Sequence, residues 1–527
     1  MQNIKVWPFI IILIIFTIIF SSCSAPITSS SLNSSSITSA TASLPPTTGS
    51  LPVTTPSNTT RTVEGPANNS TNSNTTTQAT VTKTSSSGTR PSGIPPTSGQ
   101  GGTPPAGMPP NGAPPSGGPP PGGGGGASSI TGTAVYLQSG GTISKSNQDI
   151  SASQQNESVI KITDSGVYTL TNSNVSSTGN TSSMDETSFY GLNAAILAAS
   201  GSKITLSDIK ITTTGSGANG VFATGTNSTI NLANVTISCS NTGAHGVDAT
   251  IGGILNLNNV NITTKGDGAS AAIATDRGGG TINVNGGNVT TYGTKSPPLY
   301  STGEITVTGA TMQAKNSEAV VIEGKNSVAL TDTTISGAKN WGVMIYQSMS
   351  GDASIGTGNF SMNGGTLTSE NGPLFYSNNT RAVINLKNAK LVNPSGILIK
   401  ASAGDWGNAG SNGADVTFTA ESENMSGSII CDSISTVNLI FKNATTLKGA
   451  INTEHTSKSA ALTLDDTSTW EVSGKSYMTS LTDTNNALTN IHSNGYNIYY
   501  DAANIVNNWL KGQTYDLTGS GKLTPVS

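Results

Sequence analysis

The residues of this chain best suited to acid–base or metal chemistry gather between positions 245 and 277: His245, Asp248, Asp267, Asp276 and Arg277. An imidazole among carboxylates can relay a proton or ligate a cation, and glycosidic cleavage or proton abstraction needs such groups close together. Aligning Gly246-Val247 with Ala271-Ala272, as the repeat described below suggests, sets His245 beside Ser270. Asp276 and Arg277 then fall about six residues further on, as much as ~20 Å from His245 at ~3.3 Å per extended residue. Asp248 is nearer, but this alignment forms no compact triad or carboxylate pair. The charges therefore read as solvated turn residues rather than as a catalytic or Ca²⁺ site. His455 and His492 have no carboxylate or Cys partner at ligand spacing. Cys239 and Cys431 fall about seven rungs apart, more than ~30 Å, so they cannot bridge each other and read as core residues. No metal, no cofactor and no enzymatic activity are expected.

The elements that must carry these residues follow from a repeat. Only 10% of the 527 residues are charged and 5% aromatic, while 62 are Gly, a texture that favours a repetitive fold over an ordinary mixed domain. One apolar pair recurs per period: Ile204/Leu206, Ile230/Leu232, Leu255/Leu257, Ile282/Val284, Ile305/Val307, Val328/Leu330, Ile384/Leu386 and Leu462/Leu464. Where periods are consecutive the spacing averages about 26 residues, and two further short strands follow in each, as in Val235/Ile237 then Val247/Ala249. Two residues beyond each pair come Asp208, Asn234, Asn259, Gly286, Gly309, Asp332, Asn388 and Asp466. Only Gly, Asn and Asp enter the left-handed backbone region cheaply, so this column marks a tight turn repeated on every rung. The fold expected is all-β: a right-handed, single-stranded parallel β-helix of about twelve rungs, three short strands per rung. It should occupy residues 127–460, with closing rungs and a cap over 461–527.

Two faces of that helix carry information. The outward column of the first strand reads Thr205, Asn231, Asn256, Asn283, Thr306, Ala329, Asn385, Asn438 and Thr463, without a charge. It cannot supply the acids and bases of a polysaccharide-cleaving groove. The outward column of the third strand reads Leu197, Phe222, Asp248, Ile273, Tyr300, Val321, Met344, Phe375, Leu398 and Ile430. An apolar stripe of that length must be covered, either by the chain itself or by a partner or ligand. Insertions after Tyr346 and after Lys400 are expected to leave as loops from one corner, and an N-terminal segment before Tyr190 is a further candidate cover.

The N-terminus carries Lys5 and an apolar run from Phe9 to Phe20, about twelve residues, which suits a signal-peptide core and is too short for a membrane span. Phe20 to Cys23 resembles a bacterial lipobox. That resemblance implies a lipoprotein signal peptide over 1–22, Cys23 as the lipidated first residue, and an outer-membrane location if the envelope is Gram-negative. Residues 23–126 are Ser, Thr, Pro, Gly and Asn, with little apolar surface to offset ordering entropy, and read as a disordered stalk. A net charge of −4 without basic runs excludes nucleic acid as a partner.

Near the C-terminus, Trp470, Tyr477, Tyr496, Tyr499, Tyr500, Trp509 and Tyr515 read as the cap over the last rung, or as a sugar-stacking platform. The text from Leu462 through Trp470 and Gly474 to Leu481 resembles the last passenger rungs of pertactin-like autotransporter adhesins. Gly220-Val-Phe-Ala and Gly246-Val-Asp-Ala resemble that class as well. The resemblance implies a β-helical bacterial surface protein, secreted or lipid-anchored, that adheres to glycan, matrix or surface-protein ligands and is not catalytic. The translocator barrel of alternating strands that this class carries is not read within residues 1–527, so export by that route is not expected. The competing expectation is a pectate-lyase-like polysaccharide lyase or hydrolase working from the region between Asp248 and Arg277.

Overall fold

The computed structural model describes residues 131–526. The signal peptide, the lipidation site Cys23 and the stalk expected from the sequence lie outside them. From Thr133 the chain winds as an all-β parallel β-helix of about 16 turns. Among the described residues, helix is confined to Met184–Tyr190 and a 3-10 segment, Ile505–Leu510. Three strand columns run the length of the coil, and every interstrand pairing is parallel except the closing one.

The count exceeds the expected twelve at both ends. The first turns, Thr133–Ser139 with Thr142–Ser146, lack a buried apolar pair: Val135 and Leu137 are 49% and 62% exposed. Periodicity alone therefore passes over them. At the other end Ser476–Met478, Ile498–Asp501 and Lys522–Val526 stack in series as further turns.

The apolar pairs point inward as expected. Ile204, Ile230, Leu255, Ile282, Ile305 and Val328 lie in register, each above the last, and all are buried. Burying each such side chain contributes about 1.5–3 kcal/mol. Cys239 and Cys431 are both buried and free. In the turn column, Asp208, Asn234, Asn259, Asp332 and Asn388 have φ between 46° and 58°, and Gly286 and Gly309 have φ of 68° and 66°. Asp466 departs from the column. There the turn is organised instead by Asp465, whose carboxylate accepts the backbone N–H of Thr467 and Ser468 at 3.1 and 2.8 Å.

The C-terminal aromatics divide between core, cover and surface. Trp470 and Tyr500 are fully buried, while Trp509 and Tyr515 pack against the end of the core. Trp509 Nε1 donates to the Leu481 carbonyl at 2.9 Å. Tyr477 stacks between His455 and Tyr499 on the outside, at centroid distances of 4.1 and 4.9 Å, and Tyr496 is exposed. Tyr515–Asp516 pairs antiparallel with Lys522–Val526 and so covers the final strand.

Candidate functional site

Register decides what the third-strand face presents. Val247 pairs with Ile273 and Asp248 with Ala274, one residue away from the alignment suggested by the sequence. Side chains alternate along a strand, so a one-residue slip exchanges inside and outside. The outward column is consequently Leu197, Phe222, Asp248, Ala274, Tyr300, Val321, Met344, Tyr376, Lys400 and Ile430. Ile273 and Phe375 point into the core. Leu398 also belongs to the core, at an irregularity in the pairing of its strand.

This stripe is covered by the chain itself from Leu197 to Tyr376; Ile430, beyond the cover, is 40% exposed. The short helix Met184–Tyr190 lies over one part, capped at its start by the Ser183 hydroxyl and closed at its end by Gly191 in the left-handed conformation, φ 72°. Glycine is required there twice over, because a Cβ would also meet the Phe222 ring at 2.7 Å. Phe189 accepts the Thr250 hydroxyl on its carbonyl at 2.9 Å and carries the Arg277 guanidinium 3.7 Å from its ring centroid. The insertion after Tyr346 continues the cover: Asp352 takes the Arg277 Nη2 at 2.9 Å. Trp341 stacks on Tyr376 at 4.6 Å, and Trp406, from the insertion after Lys400, packs 5.6 Å from Tyr346.

Under this cover the polar residues assemble. Asp276 stands two residues beyond Ala274 and therefore on the same face as Asp248, one rung along. Ligand-type atoms of His245, Asp248 and Asp276 all lie within 4.8 Å of one another. The separation of up to ~20 Å expected from sequence was an extended-chain limit taken on the slipped register. His245, Asp248 and Asp276 are 1%, 0% and 5% exposed, so they are not solvated turn charges. Asp267 does remain one: it is exposed and accepts both the backbone N–H and the hydroxyl of Thr294, which hold its carboxyl below the usual range. Arg277 is half-exposed and directed at Asp352.

The electrostatics of the cluster follow from burial. Nδ1 of His245 lies 3.2 Å from the Ala271 carbonyl, which makes it the protonated nitrogen and leaves the lone pair on Nε2. Burial brings this histidine down to about 4, so the ring is neutral at neutral pH. Burial, and then the proximity of Asp276, push the Asp248 carboxyl well above the carboxylate range. Burial followed by Asp352 does the same to Asp276. Nε2 of His245 has no hydrogen-bond partner within the protein, and the Asp248 carboxyl has no well-aligned one, with only the adjacent Ala249 backbone N–H acting weakly on it. Asp276 Oδ1 accepts the Arg277 backbone N–H at 2.8 Å.

Glu323, absent from the residues singled out by sequence, forms a second buried centre on the same face. It accepts the hydroxyls of Tyr300 at 2.8 Å, Tyr346 at 2.5 Å and Ser348. Its position two residues beyond outward Val321 is the signal that reveals it. A register pair likewise supplies the carboxylate that spacing denied to His492: its Nδ1 sits 2.5 Å from Glu471.

The first-strand face is open. Thr205, Asn231, Asn256, Asn283, Thr306 and Ala329 form one outward column in strict register, followed by Ser361, Asn385, Thr419, Ile440 and Thr463. Asn438 points outward one column over, opposite Thr417. Asn256 Nδ2 donates to Asn231 Oδ1 at 2.8 Å, Asn283 Nδ2 to Asn256 Oδ1 at 2.9 Å, and the Thr306 hydroxyl to Asn283 Oδ1 at 2.8 Å. These side chains line a groove of about 530 Å³, and a second of about 360 Å³ follows past Ala329, Ser361 and Asn385. Among the residues lining the two grooves, charge enters only at the second one's margin, through Lys387 and Glu421, which face each other at 3.9 Å, while Lys203, Glu304, Arg381 and Asp415 are exposed at the starts of the same strands.

No known protein-family model, curated protein or solved structure matches this chain.

Proposed function

We propose that this chain is an exported bacterial surface protein of the pertactin-like passenger type, which binds neutral glycan along its first-strand face without cleaving it. The observation that carries this reading is the uncharged, internally bonded row from Asn231 to Thr306. Asn256 and Asn283 each use one donor and one acceptor on their neighbours and retain a second donor and lone pair for a ligand, while Asn231, at the end of the row, only accepts. Held by their neighbours, these groups lose little side-chain freedom on binding, and sugar hydroxyls are their natural complement. Absence of charge favours neutral over acidic polymers. In this reading Cys23 anchors the protein to the membrane, residues 23–126 hold the helix away from the surface, and the outcome is adhesion or surface architecture. Matrix or surface-protein ligands would engage the same row.

An array of neutral and acidic glycans with a host-matrix panel tests the proposal. Saturable binding to neutral glycans is expected, weakened at least tenfold by Asn256→Asp with Asn283→Asp. Binding to none of the panel would overturn it. The competing lyase or hydrolase reading draws on the Asp248–Asp276 pair, yet those groups are sealed from a polymer by the chain's own cover. Turnover of an acidic polysaccharide that Asp276→Ala abolishes would put that reading in its place.

A further inference from the structure

Close to the helix Met184–Tyr190, His245 Nε2 and the Asp248 carboxyl are buried together without side-chain partners. We propose that His245 Nε2, Asp248 and Asp276 form a structural site for a divalent transition-type cation, Zn²⁺ first among them, clipping two adjacent rungs together. The three ligand atoms lie within 4.8 Å of one another, and small side-chain rotations would draw them to the ~3.5 Å separations that a tetrahedral Zn²⁺ shell imposes. His245 is oriented as metal-binding histidines are: its Nδ1–H is spent on the Ala271 carbonyl at 3.2 Å, and Nε2 is left bare, facing the carboxylates. Asp248 is fully buried with no side-chain partner for either oxygen, so its ionised form costs several kcal/mol unless a counter-charge such as a bound cation is supplied. Arg277 does not supply it, because its guanidinium is engaged by Asp352. A dication with two carboxylates and one imidazole is electrically neutral, which suits a site closed to solvent.

The donor set selects the ion. One imidazole nitrogen and two carboxylates are ligands of Zn²⁺ and its first-row neighbours, and three protein ligands approach a four-coordinate shell. Ca²⁺ takes about six to eight oxygens, and Mg²⁺ keeps most of its waters, neither of which this set provides. The ligands come from the entry to one strand, Val247–Thr250, and the exit of the next, Ile273–Thr275, so the ion would tie consecutive turns at the point where the covering helix rests.

The test uses the full chain with its N-terminal signal removed by the host, purified without chelator after growth with added Zn²⁺. Elemental analysis is expected to give about one Zn²⁺ per chain, reduced to background by Asp248→Asn or His245→Ala and unchanged by Asp267→Asn, the exposed turn carboxylate. Co²⁺ added to the chelator-stripped protein should develop a visible absorption band that Asp248→Asn lacks. Circular dichroism checks that each variant retains its β signature. If a variant fails to fold, Zn²⁺ must still raise the melting temperature of the stripped intact chain while Ca²⁺ and Mg²⁺ do not. The proposal is overturned if the intact chain takes up neither Zn²⁺ nor Co²⁺ saturably. Equal uptake by folded Asp248→Asn overturns the assignment, and stabilisation by Ca²⁺ alone overturns the class of ion.

Discussion

Arg277 and Asp352 stand 75 residues apart in the chain and 2.9 Å apart in the fold, joining a turn of one rung to an insertion that leaves the helix three turns later. Asp352 is almost fully buried and Arg277 half-exposed, so truncating the arginine strands a buried carboxylate. Arg277→Met is expected to destabilise the cover by about 1–2 kcal/mol, between the values for exposed and buried pairs. Hydrogen exchange should quicken at residues 347–356 and not in the strands beneath; unchanged exchange there would count against the link.

The left-handed turn column makes a sharper demand. Asn234 has φ 54°, so Asn234→Ala is expected to cost about 1–2 kcal/mol and Asn234→Gly much less. Equal effects of the two substitutions in urea denaturation would mean that the turn can relax by another route.

Core continuity gives a third expectation. Ile282 is fully buried between Leu255 and Ile305 in the inward stack, and Ile282→Ala should lower stability by about 2–5 kcal/mol. A loss below about 1 kcal/mol in the same denaturation experiment would show that neighbouring rungs collapse into the space.

Glu423 predicts a pH dependence. It is buried, accepts the Ala389 backbone N–H at 2.7 Å, and is pushed up to about 7 by burial. The native state therefore holds this proton more tightly than the unfolded chain. The resulting stabilisation is complete below the ordinary value of 4.5 and is lost as pH rises through about 7. Glu423→Gln should accordingly be the more stable protein at pH ~8, by about 1–2 kcal/mol, and show no advantage at pH ~4. Melting temperatures across that range decide it.

The helix was legible in the sequence because two independent signals coincide on each rung. Pairs such as Ile230/Leu232 mark the inward positions, and Asn234 or Gly286 marks a backbone geometry that few residues tolerate. The third-strand register was not, because Ala271, Ala272, Ile273 and Ala274 are all apolar and offer no alternation to pin the phase. With the phase lost, Asp276 could not be brought to Asp248. Nor could any local pattern join Asp352 to Arg277, since the contact depends on the path of a loop. Glu323 was within reach of the alternation from Val321, had the strand been carried two residues further. The first-strand column was read in large part: Asn438 was misplaced, where a longer strand admits a second outward column, and Ser361, Thr419 and Ile440 were passed over.

The amide row on that open face also has a sense. Asn256 gives its N–H to Asn231, Asn283 gives to Asn256, and Thr306 gives to Asn283, every donation running back towards the N-terminus. The bond dipoles therefore add along the axis instead of cancelling, and the two ends of the row differ. A polymer chain laid in the groove would meet one orientation of its own asymmetric units as a match and the reverse as a mismatch, so the rod can distinguish head from tail.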